Sequence, residues 1–184
     1  PLLVEQLLAV LVGMADVVMV AAVGETAVSG VALVDSISVL VIQVLSAMAT
    51  GGAVVCSQYI GKKKPDQACR AAGQLVLITA ALSLFIAAVA FIGNRHLLRL
   101  IFGSVETAVM DNAQTYFWFT AMSYPFLALY NSGAALFRSM GNSKVSMKVS
   151  LAMNAINVAG NALCVFGLHM GVEGVAIPTL VSRM

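Results

Sequence analysis

The stretch SISVLVIQVLSAMATGGAVVCSQYIG, Ser36–Gly61, decides the fold, because its 26 residues contain no Asp, Glu, Lys or Arg. About 20 helical residues cross the roughly 30 Å apolar core of a bilayer, so this stretch is long enough to span a membrane. Three further charge-free runs of 24 to 26 residues follow it, at 71–94, 112–137 and 149–172. The pattern predicts an all-α integral membrane protein.

Two less regular stretches lie at the ends of the chain. Residues 1–23 are apolar but carry Glu5 and Asp16, and residues 174–182 begin another apolar run. We therefore predict six transmembrane helices, of which the first and the last are truncated, and we expect the chain to be a fragment of a longer protein. The predicted helices cover about 1–23, 33–60, 68–94, 112–138, 146–168 and 173–184.

The composition of the 184 residues leads to the same class. Apolar residues make up 60% and charged residues 10% of the chain, and the mean hydropathy is +0.96. Soluble domains carry about 25% charged residues, so an ordinary water-soluble domain is excluded. Basic residues are too few and too scattered for a nucleic-acid partner. The three cysteines lack the spacing of a metal site, and we expect buried free thiols.

The distribution of Lys and Arg predicts the orientation in the membrane. Seven of these residues lie on the side of the membrane that carries the two–three and four–five loops, and two lie on the opposite side, at the three–four loop. The seven are Lys62, Lys63, Lys64, Arg70, Arg138, Lys144 and Lys148, and the two are Arg95 and Arg99. Because Lys and Arg accumulate in cytoplasmic loops, the first helix should run from inside to outside. We expect a multi-pass protein of a prokaryotic plasma membrane.

Asp16 is the principal candidate for a functional residue. It lies in the apolar segment Val12–Val18, with no Lys or Arg near it in sequence. An ionisable group within a membrane span is costly and is usually functional, since desolvation disfavours its charged form. Asp16 could exchange a proton or bind a cation. The alternative is a carboxyl group that only hydrogen-bonds neighbouring helices.

The fifth span carries a polar stripe. The stripe consists of Ser150, Asn154, Asn157 and Asn161. These residues are four, three and four positions apart, so they share one face of the helix. Such side chains could line a hydrated cavity or coordinate an ion. They could equally hold helices together by interhelical hydrogen bonds.

Weaker signals come from the other spans. Four residues are weak candidates for lining a substrate cavity: Gln43, Asn154, Met14 and Tyr130. Gln43 belongs to a sparse polar stripe of the second span, and Met14 offers adaptable apolar surface. Tyr130 follows a proline in the fourth span. Pro125 should bend the fourth helix, because it removes a backbone donor. Asp35 lies at the outer end of the second span, where an interfacial role is the simpler interpretation.

The sequence lacks the signatures of an enzyme. There is no phosphate-binding glycine-rich loop, and the two histidines, His96 and His169, lie far apart at the edges of loops. An intramembrane enzyme would need a paired nucleophile and base or a metal triad within the spans. We therefore expect no catalytic residues, no metal and no cofactor.

The order of several motifs resembles the amino-terminal half of multidrug and toxic compound extrusion (MATE) transporters. The motifs are Pro1 followed by Gly13–Val20, Gln58–Gly61 before basic residues, Phe137–Asn142, Asn157 to Gly167, and Gly171–Ile177. The resemblance covers essentially the whole chain. It implies a six-helix lobe, which is half of a pseudo-symmetric twelve-helix transporter.

The resemblance also implies a site. In several family members the helix-one Asp belongs to a proton or sodium site with polar residues of helices four, five and six. By position these are Asp16, Asn157, Asn161 and Thr179, with Asn131 a looser match. Some members have Asp where this chain has Asn161, which leaves the coupling ion, H⁺ or Na⁺, undecided.

The sequence is thus interpreted as part of a secondary active exporter of organic cations or drugs, working by alternating access. Its partners would be the bilayer, an amphipathic or cationic small molecule and a carboxy-terminal lobe, and Pro1 and Pro125 would be its hinges. One alternative is a lipid-linked oligosaccharide flippase of the same superfamily, disfavoured because the five long spans contain no mid-span Lys or Arg. Another alternative is a structural membrane module that does not transport, in which Asp16 would have no function.

Overall fold

The six helices that the sequence predicts are all present. The computed structural model describes residues 2–103 and 105–184, with side chains from Leu7 onward except that of residue 9. The helices are α1 (Leu2–Val23), α2 (Glu25–Gly61), α3 (Pro65–Phe102), α4 (Thr107–Ser139), α5 (Ser143–Ala162) and α6 (Glu173–Arg183). A π-helical turn, Leu163–Gly167, extends α5, and the described residues include no strand.

Helices α2, α3 and α4 are longer than the predicted spans. With 37 and 38 residues, α2 and α3 are each about 55 Å long at 1.5 Å per residue, against roughly 30 Å of hydrocarbon. Consequently α2 begins at Glu25 instead of about 33, and α4 begins at Thr107 instead of 112. Hydropathy reports the lipid-buried part of a helix, whereas the backbone hydrogen bonds continue into the polar interface.

Length and apolar character together mark three segments of the described chain as able to cross a membrane: α2, α3 and Ser143–Gly167. Much of their surface is apolar and uncovered. Leu77, Ile92 and Leu100 of α3, for example, expose 71%, 88% and 83% of their surface. Exposed apolar area on this scale is expected where lipid chains, not water, surround a helix.

Helix α4 packs against both members of the α2–α3 hairpin. Gly30 of α2 lies so close to α4 that a Cβ atom would be 3.0 Å from the Ala113 nitrogen. Deeper in the lobe, Ser38 and Tyr124 share a hydrogen bond of 3.2 Å. This close approach holds the amino-terminal halves of α2 and α4 side by side, which positions the polar residues described below.

The second hairpin is α5–α6, and α1 packs against α5. Gly160 of α5 faces Pro178 of α6, and a Cβ atom at Gly160 would lie only 2.7 Å from the Pro178 Cβ. Glycine is therefore needed for this helix approach. The result is an open space bounded by α1, α2, α5 and α6, with α4 behind it.

Two expectations need correction or extension. Of the three free cysteines, Cys56 is buried, Cys69 is exposed and Cys164 is half-buried, so the expectation of buried thiols holds only for the first. Cys69 is the fifth residue of α3, next to the buried Ala68. Helix α4 continues without interruption through Pro125, and the role of Pro125 as a hinge stays a prediction.

Candidate functional site

The space between the two hairpins contains a cavity of about 330 Å³. Its apolar wall comes mainly from valines of α1, α2 and α6, together with Met153 of α5. Polar side chains from five of the helices also line it: Asp16, Asp35, Tyr116, Asn154, Asn157, Thr179, Ser182 and Arg183. An apolar cavity with a few convergent polar groups is the usual form of a small-molecule site.

Asp16 belongs to a cluster with three side chains of α5 and α6. Asn161 Nδ2 donates to Asp16 Oδ1 at 2.7 Å. One terminal atom of the Asn157 amide lies 3.0 Å from Asp16 Oδ1 and 3.2 Å from Oδ2, and its other terminal atom lies 3.1 Å from Thr179 Oγ1. The structure thus brings together the four residues Asp16, Asn157, Asn161 and Thr179 that the resemblance implies.

The amide of Asn157 has two possible orientations, and each leaves one contact unsatisfied: the nitrogen lies 3.2 Å from Asn161 Nδ2 in one, and the oxygen faces the Asp16 carboxylate in the other. With its nitrogen toward Asp16, it donates to an ionised carboxylate, and the Thr179 hydroxyl donates to its oxygen. With its oxygen toward Asp16, the carboxyl must carry a proton or share a cation, because otherwise acceptors would face each other. In that orientation Asn157 Nδ2 donates to Thr179 Oγ1 at 3.1 Å, and the Thr179 hydroxyl donates to the Val175 carbonyl at 2.8 Å.

One amide oxygen of the cluster is unpaired. Asn161 Oδ1 is buried and has no hydrogen-bond partner among the described residues. Nδ2 of the same amide faces Asp16 and Asn157, so the oxygens near one another are those of Asp16, Asn157 and Thr179, which are hard donors of the type that alkali and alkaline-earth cations prefer. The cluster can therefore change its hydrogen bonds on taking up one positive charge, either a proton or a small cation.

A second polar group lines the same cavity. Tyr116 Oη of α4 donates to Asp35 Oδ1 of α2 at 3.4 Å. Arg183, near the end of α6, lines the same cavity and donates from Nη1 to Ser123 Oγ at 2.8 Å. The sequence alone does not reveal this group, because the position of Asp35 favours an interfacial role and Arg183 lies outside the five long spans.

Position along the helices explains how the two groups are arranged. At 1.5 Å per residue, Asp16 lies about 10 Å from the end of α1 at Val23, and Thr179 lies about 9 Å from the start of α6. Asp35 and Arg183 lie about 15 Å from the starts of α2 and α6. Both groups therefore belong to the half of the lobe that we predict to face outward.

Of the weaker cavity candidates, Asn154 lines this cavity, and its buried Nδ2 has no partner within the described part of the chain. Met14 is two residues from Asp16, about 200° around the helix, and exposes 64% of its surface on the other side of α1. Gln43 is eight residues beyond Asp35, about 12 Å further along α2. The structure therefore does not place Met14 or Gln43 at the site.

Two residues of α4 also lie away from the site. Tyr130 lines a separate cavity with residues of α5. Asn131 does not join the Asp16 cluster, since it is 15 residues beyond Tyr116 and therefore about 22 Å further along the helix. Its buried Nδ2 finds no hydrogen-bond partner among residues 2–103 and 105–184. Pro1, the other predicted hinge, lies outside the described residues.

Comparison with known proteins identifies the family. The family model MatE matches residues 1–163, which is most of the chain. The chain belongs to the MatE family. This confirms the resemblance drawn from the sequence motifs.

Named relatives of this MatE chain are bacterial transporters. It is 30% identical over 188 residues to the uncharacterized transporter YisQ of Bacillus subtilis, and it spans 41% of that protein. It is 26% identical to the probable multidrug resistance protein NorM of Thermotoga maritima and 22% identical to the multidrug export protein MepA of Staphylococcus haemolyticus. It spans 40% of each, so it covers less than half the length of these relatives.

Solved structures share the fold. A structure of MATE in complex with MaD3S superposes with a TM-score of 0.91 over 97% of this chain and 40% of that one, at 18% identity. A MOP superfamily transporter from Pyrococcus furiosus, with a binding pocket of reversed polarity, gives 0.90 at 18% identity over 39% of its length. In the described part of the MatE chain, no group of three or more His, Cys, Asp or Glu residues is arranged to hold a metal ion.

Proposed function

We propose that the full-length protein is a secondary active exporter that moves amphipathic organic cations out of the cell in exchange for H⁺ or Na⁺. The observation that carries the proposal is the Asp16 carboxylate, which lies in a cavity within hydrogen-bond distance of the Asn161 and Asn157 amides. The names of the relatives MepA and NorM support drugs as the cargo class.

The proposed architecture is a pair of lobes that alternate access to a central cavity. This chain spans about 40% of its relatives, so a carboxy-terminal lobe of similar size would face the open side of the cavity. The protein would lie in a prokaryotic plasma membrane and would need no cofactor beyond its coupling ion.

The coupling step follows from the two arrangements of the cluster. Loading Asp16 with a proton or Na⁺ turns the Asn157 amide and redirects the Thr179 hydroxyl toward the Val175 carbonyl. These changes link α1 to α5 and α6, so they alter the relative stability of two lobe conformations. An ion drives transport only if it binds those conformations with different affinity.

The test compares the full-length protein with Asp16→Asn at equal expression in cells that lack their own exporters. We expect the parent to expel ethidium and the variant to lose at least nine-tenths of that rate, because an amide cannot take up the coupling charge. Asp111→Asn is the matched control, since this carboxylate lies at the exposed start of α4. Normal efflux by Asp16→Asn would show that the coupling assignment is wrong.

A flippase for anionic lipid-linked sugars is the second candidate, and one observation favours it. Arg183 brings a basic group into the cavity, although the five long spans have none. Two carboxylates line the same cavity, however, so its charge balance favours a cationic cargo. Two results together would favour the flippase. The parent would not expel organic cations, and Arg183→Gln would lose the transport of an anionic lipid cargo that the parent carries out.

A further inference from the structure

We propose that the groove between α3 and α4 binds an anionic phospholipid with a hydroxyl-bearing headgroup, of the phosphatidylglycerol class. The groove lies in the half of the lobe that we predict to face outward, so its ligand belongs to the outer leaflet. The site is separate from the cavity that contains Asp16, and it requires neither the cargo nor the coupling ion of the proposed function.

The groove lies away from the candidate functional site. Within the described residues α3 packs against α2 and α4 alone, whereas the Asp16 cavity lies on the side of α1, α5 and α6. Two cavities follow each other between α3 and α4: an outer one of about 320 Å³ near the helix ends, and an inner one of about 330 Å³. They form one groove, because one face of α4 lines both, through Thr107, Asp111, Thr115 and Trp118.

The groove crosses the boundary between hydrocarbon and headgroups. The charge-free run 71–94 of α3 ends at Asn94, which lies in the inner cavity about 12 Å from the end of α3. Trp118 lines the same cavity, exposes 48% of its surface, and meets the ring of Phe91 edge-on at 5.0 Å. Tryptophan is enriched at this level of a membrane. The outer cavity therefore lies at the level of lipid phosphates, and the inner one at the level of the glycerol esters.

The outer cavity supplies positive charge. Arg95 and Arg99 of α3 line it together with Asp111 of α4, so two positive charges and one negative leave a net charge of +1. Guanidinium groups bind phosphate oxygens through paired, charge-assisted hydrogen bonds. One phosphodiester of charge −1 neutralises this cavity, whereas a zwitterionic lipid leaves the surplus positive charge in place.

The inner cavity supplies a hydrogen-bond donor and an acceptor. Asn94 Nδ2 donates to the Gln114 carbonyl oxygen at 3.0 Å, which joins α3 to α4. Asn94 Oδ1 and Gln114 Nε2 are buried without a partner among the described residues, although both side chains line the cavity. Such atoms are costly, and lipid chains bring no water to pair with them. Turned toward the groove, Gln114 would donate to an ester or phosphate oxygen, and Asn94 would accept from a headgroup hydroxyl.

The two cavities together select among the common bilayer lipids. Phosphatidylglycerol combines one negative charge with hydroxyl donors, so it satisfies both the arginines and the free amide oxygen. Phosphatidylcholine has neither a net charge nor a headgroup donor. Phosphatidylethanolamine has a donor but no net charge, and it should bind more weakly than phosphatidylglycerol.

The experiment measures lipid binding to the purified, delipidated full-length protein by native mass spectrometry, with the three lipids added in equal amounts. The double variant Arg95→Gln, Arg99→Gln should bind phosphatidylglycerol roughly tenfold more weakly than the parent, which is about 1.4 kcal/mol. Gln114→Leu should bind it several-fold more weakly. The matched control is Lys62→Gln, Lys64→Gln, which removes the same charge from the exposed α2–α3 loop and should bind as the parent does.

Thermal unfolding of the same proteins provides a second measurement. Phosphatidylglycerol should raise the midpoint of the parent by a few degrees, because a ligand of the folded state stabilises it, and should raise that of the arginine variant less. A lower midpoint for lipid-free Gln114→Leu, with unchanged lipid binding, would show that the amides only join the two helices, which would overturn their part in the site.

Three other results would overturn the site itself. One is a parent that binds phosphatidylcholine or phosphatidylethanolamine as tightly as phosphatidylglycerol. Another is an arginine variant that binds phosphatidylglycerol as the parent does. The third is an equal loss in the lysine control, since the arginines would then act only as general surface charge. None of these results depends on cation efflux, so the proposed function is tested separately.

Discussion

Gly160→Ala is the change that tests most sharply how helix packing builds the site. The new Cβ atom would lie 2.7 Å from the Pro178 Cβ, about 0.7 Å closer than the 3.4 Å at which ordinary contact begins. Pro178 is locked in α6, so the two helices must separate by about this distance. The 3.1 Å contact between Asn157 and Thr179, which spans the same interface, would lengthen to about 3.8 Å. That is beyond hydrogen-bond range.

The expected cost has three parts. Overpacking costs about 1–3 kcal/mol, and the lost hydrogen bond costs about 0.5–1.5 kcal/mol. Alanine recovers about 0.5–1 kcal/mol over glycine in a helix interior. Gly160→Ala should therefore lower the free energy of unfolding by about 0.5–4 kcal/mol and slow ion-coupled efflux.

Gly133→Ala in α4 is the matched control, because a Cβ atom at Gly133 would have no neighbour within 4 Å among the described residues. Thermal unfolding of the full-length protein in detergent should give a midpoint a few degrees lower for Gly160→Ala, and unchanged or slightly higher for Gly133→Ala. Equal midpoints for the two variants, together with equal efflux rates, would refute the packing argument.

Two more substitutions address the polar groups. Asn161→Asp places a second carboxyl group 2.7 Å from Asp16. Two carboxyl groups this close cannot both be ionised without a cation between them. The pair should therefore retain one proton or bind Na⁺ more tightly than the parent does. Efflux should then depend more steeply on Na⁺ when both gradients are varied in vesicles, and an unchanged ion dependence would count against the cluster as the ion site. Tyr116→Phe removes only the long 3.4 Å bond to Asp35, so the KM for ethidium efflux should change less than about threefold; a tenfold change would mean that the hydroxyl contacts cargo directly.

The spans were predictable because charge is so expensive in lipid. The charge-free stretch Ser36–Gly61 lies wholly within α2, and 71–94 lies within α3. Helix ends were less predictable, as the early start of α2 at Glu25 shows, because a helix that leaves the hydrocarbon gives no hydropathy signal. The polar stripe of α5 puts Asn157 and Asn161 on the same face, and the structure joins both to Asp16.

The rest of the site depends on which helices meet, and sequence periodicity does not contain that information. Asp35 and Tyr116 are 81 residues apart, and Ser123 and Arg183 are 60 apart. Each of these pairs exists because α4 packs beside α2 and α6. One signal was available: Arg183 is a cation ten residues into the last helix, at the depth where a span should be apolar.

The central claim is that one positive charge on Asp16 drives organic cations outward. Its most direct test is tetraphenylphosphonium movement in proteoliposomes of the full-length protein, driven by an imposed H⁺ or Na⁺ gradient, with Asp16→Asn beside it. We predict that one of the two gradients drives uphill movement in the parent, and that neither does in the variant. Uphill movement by Asp16→Asn at the parent's rate would contradict the account.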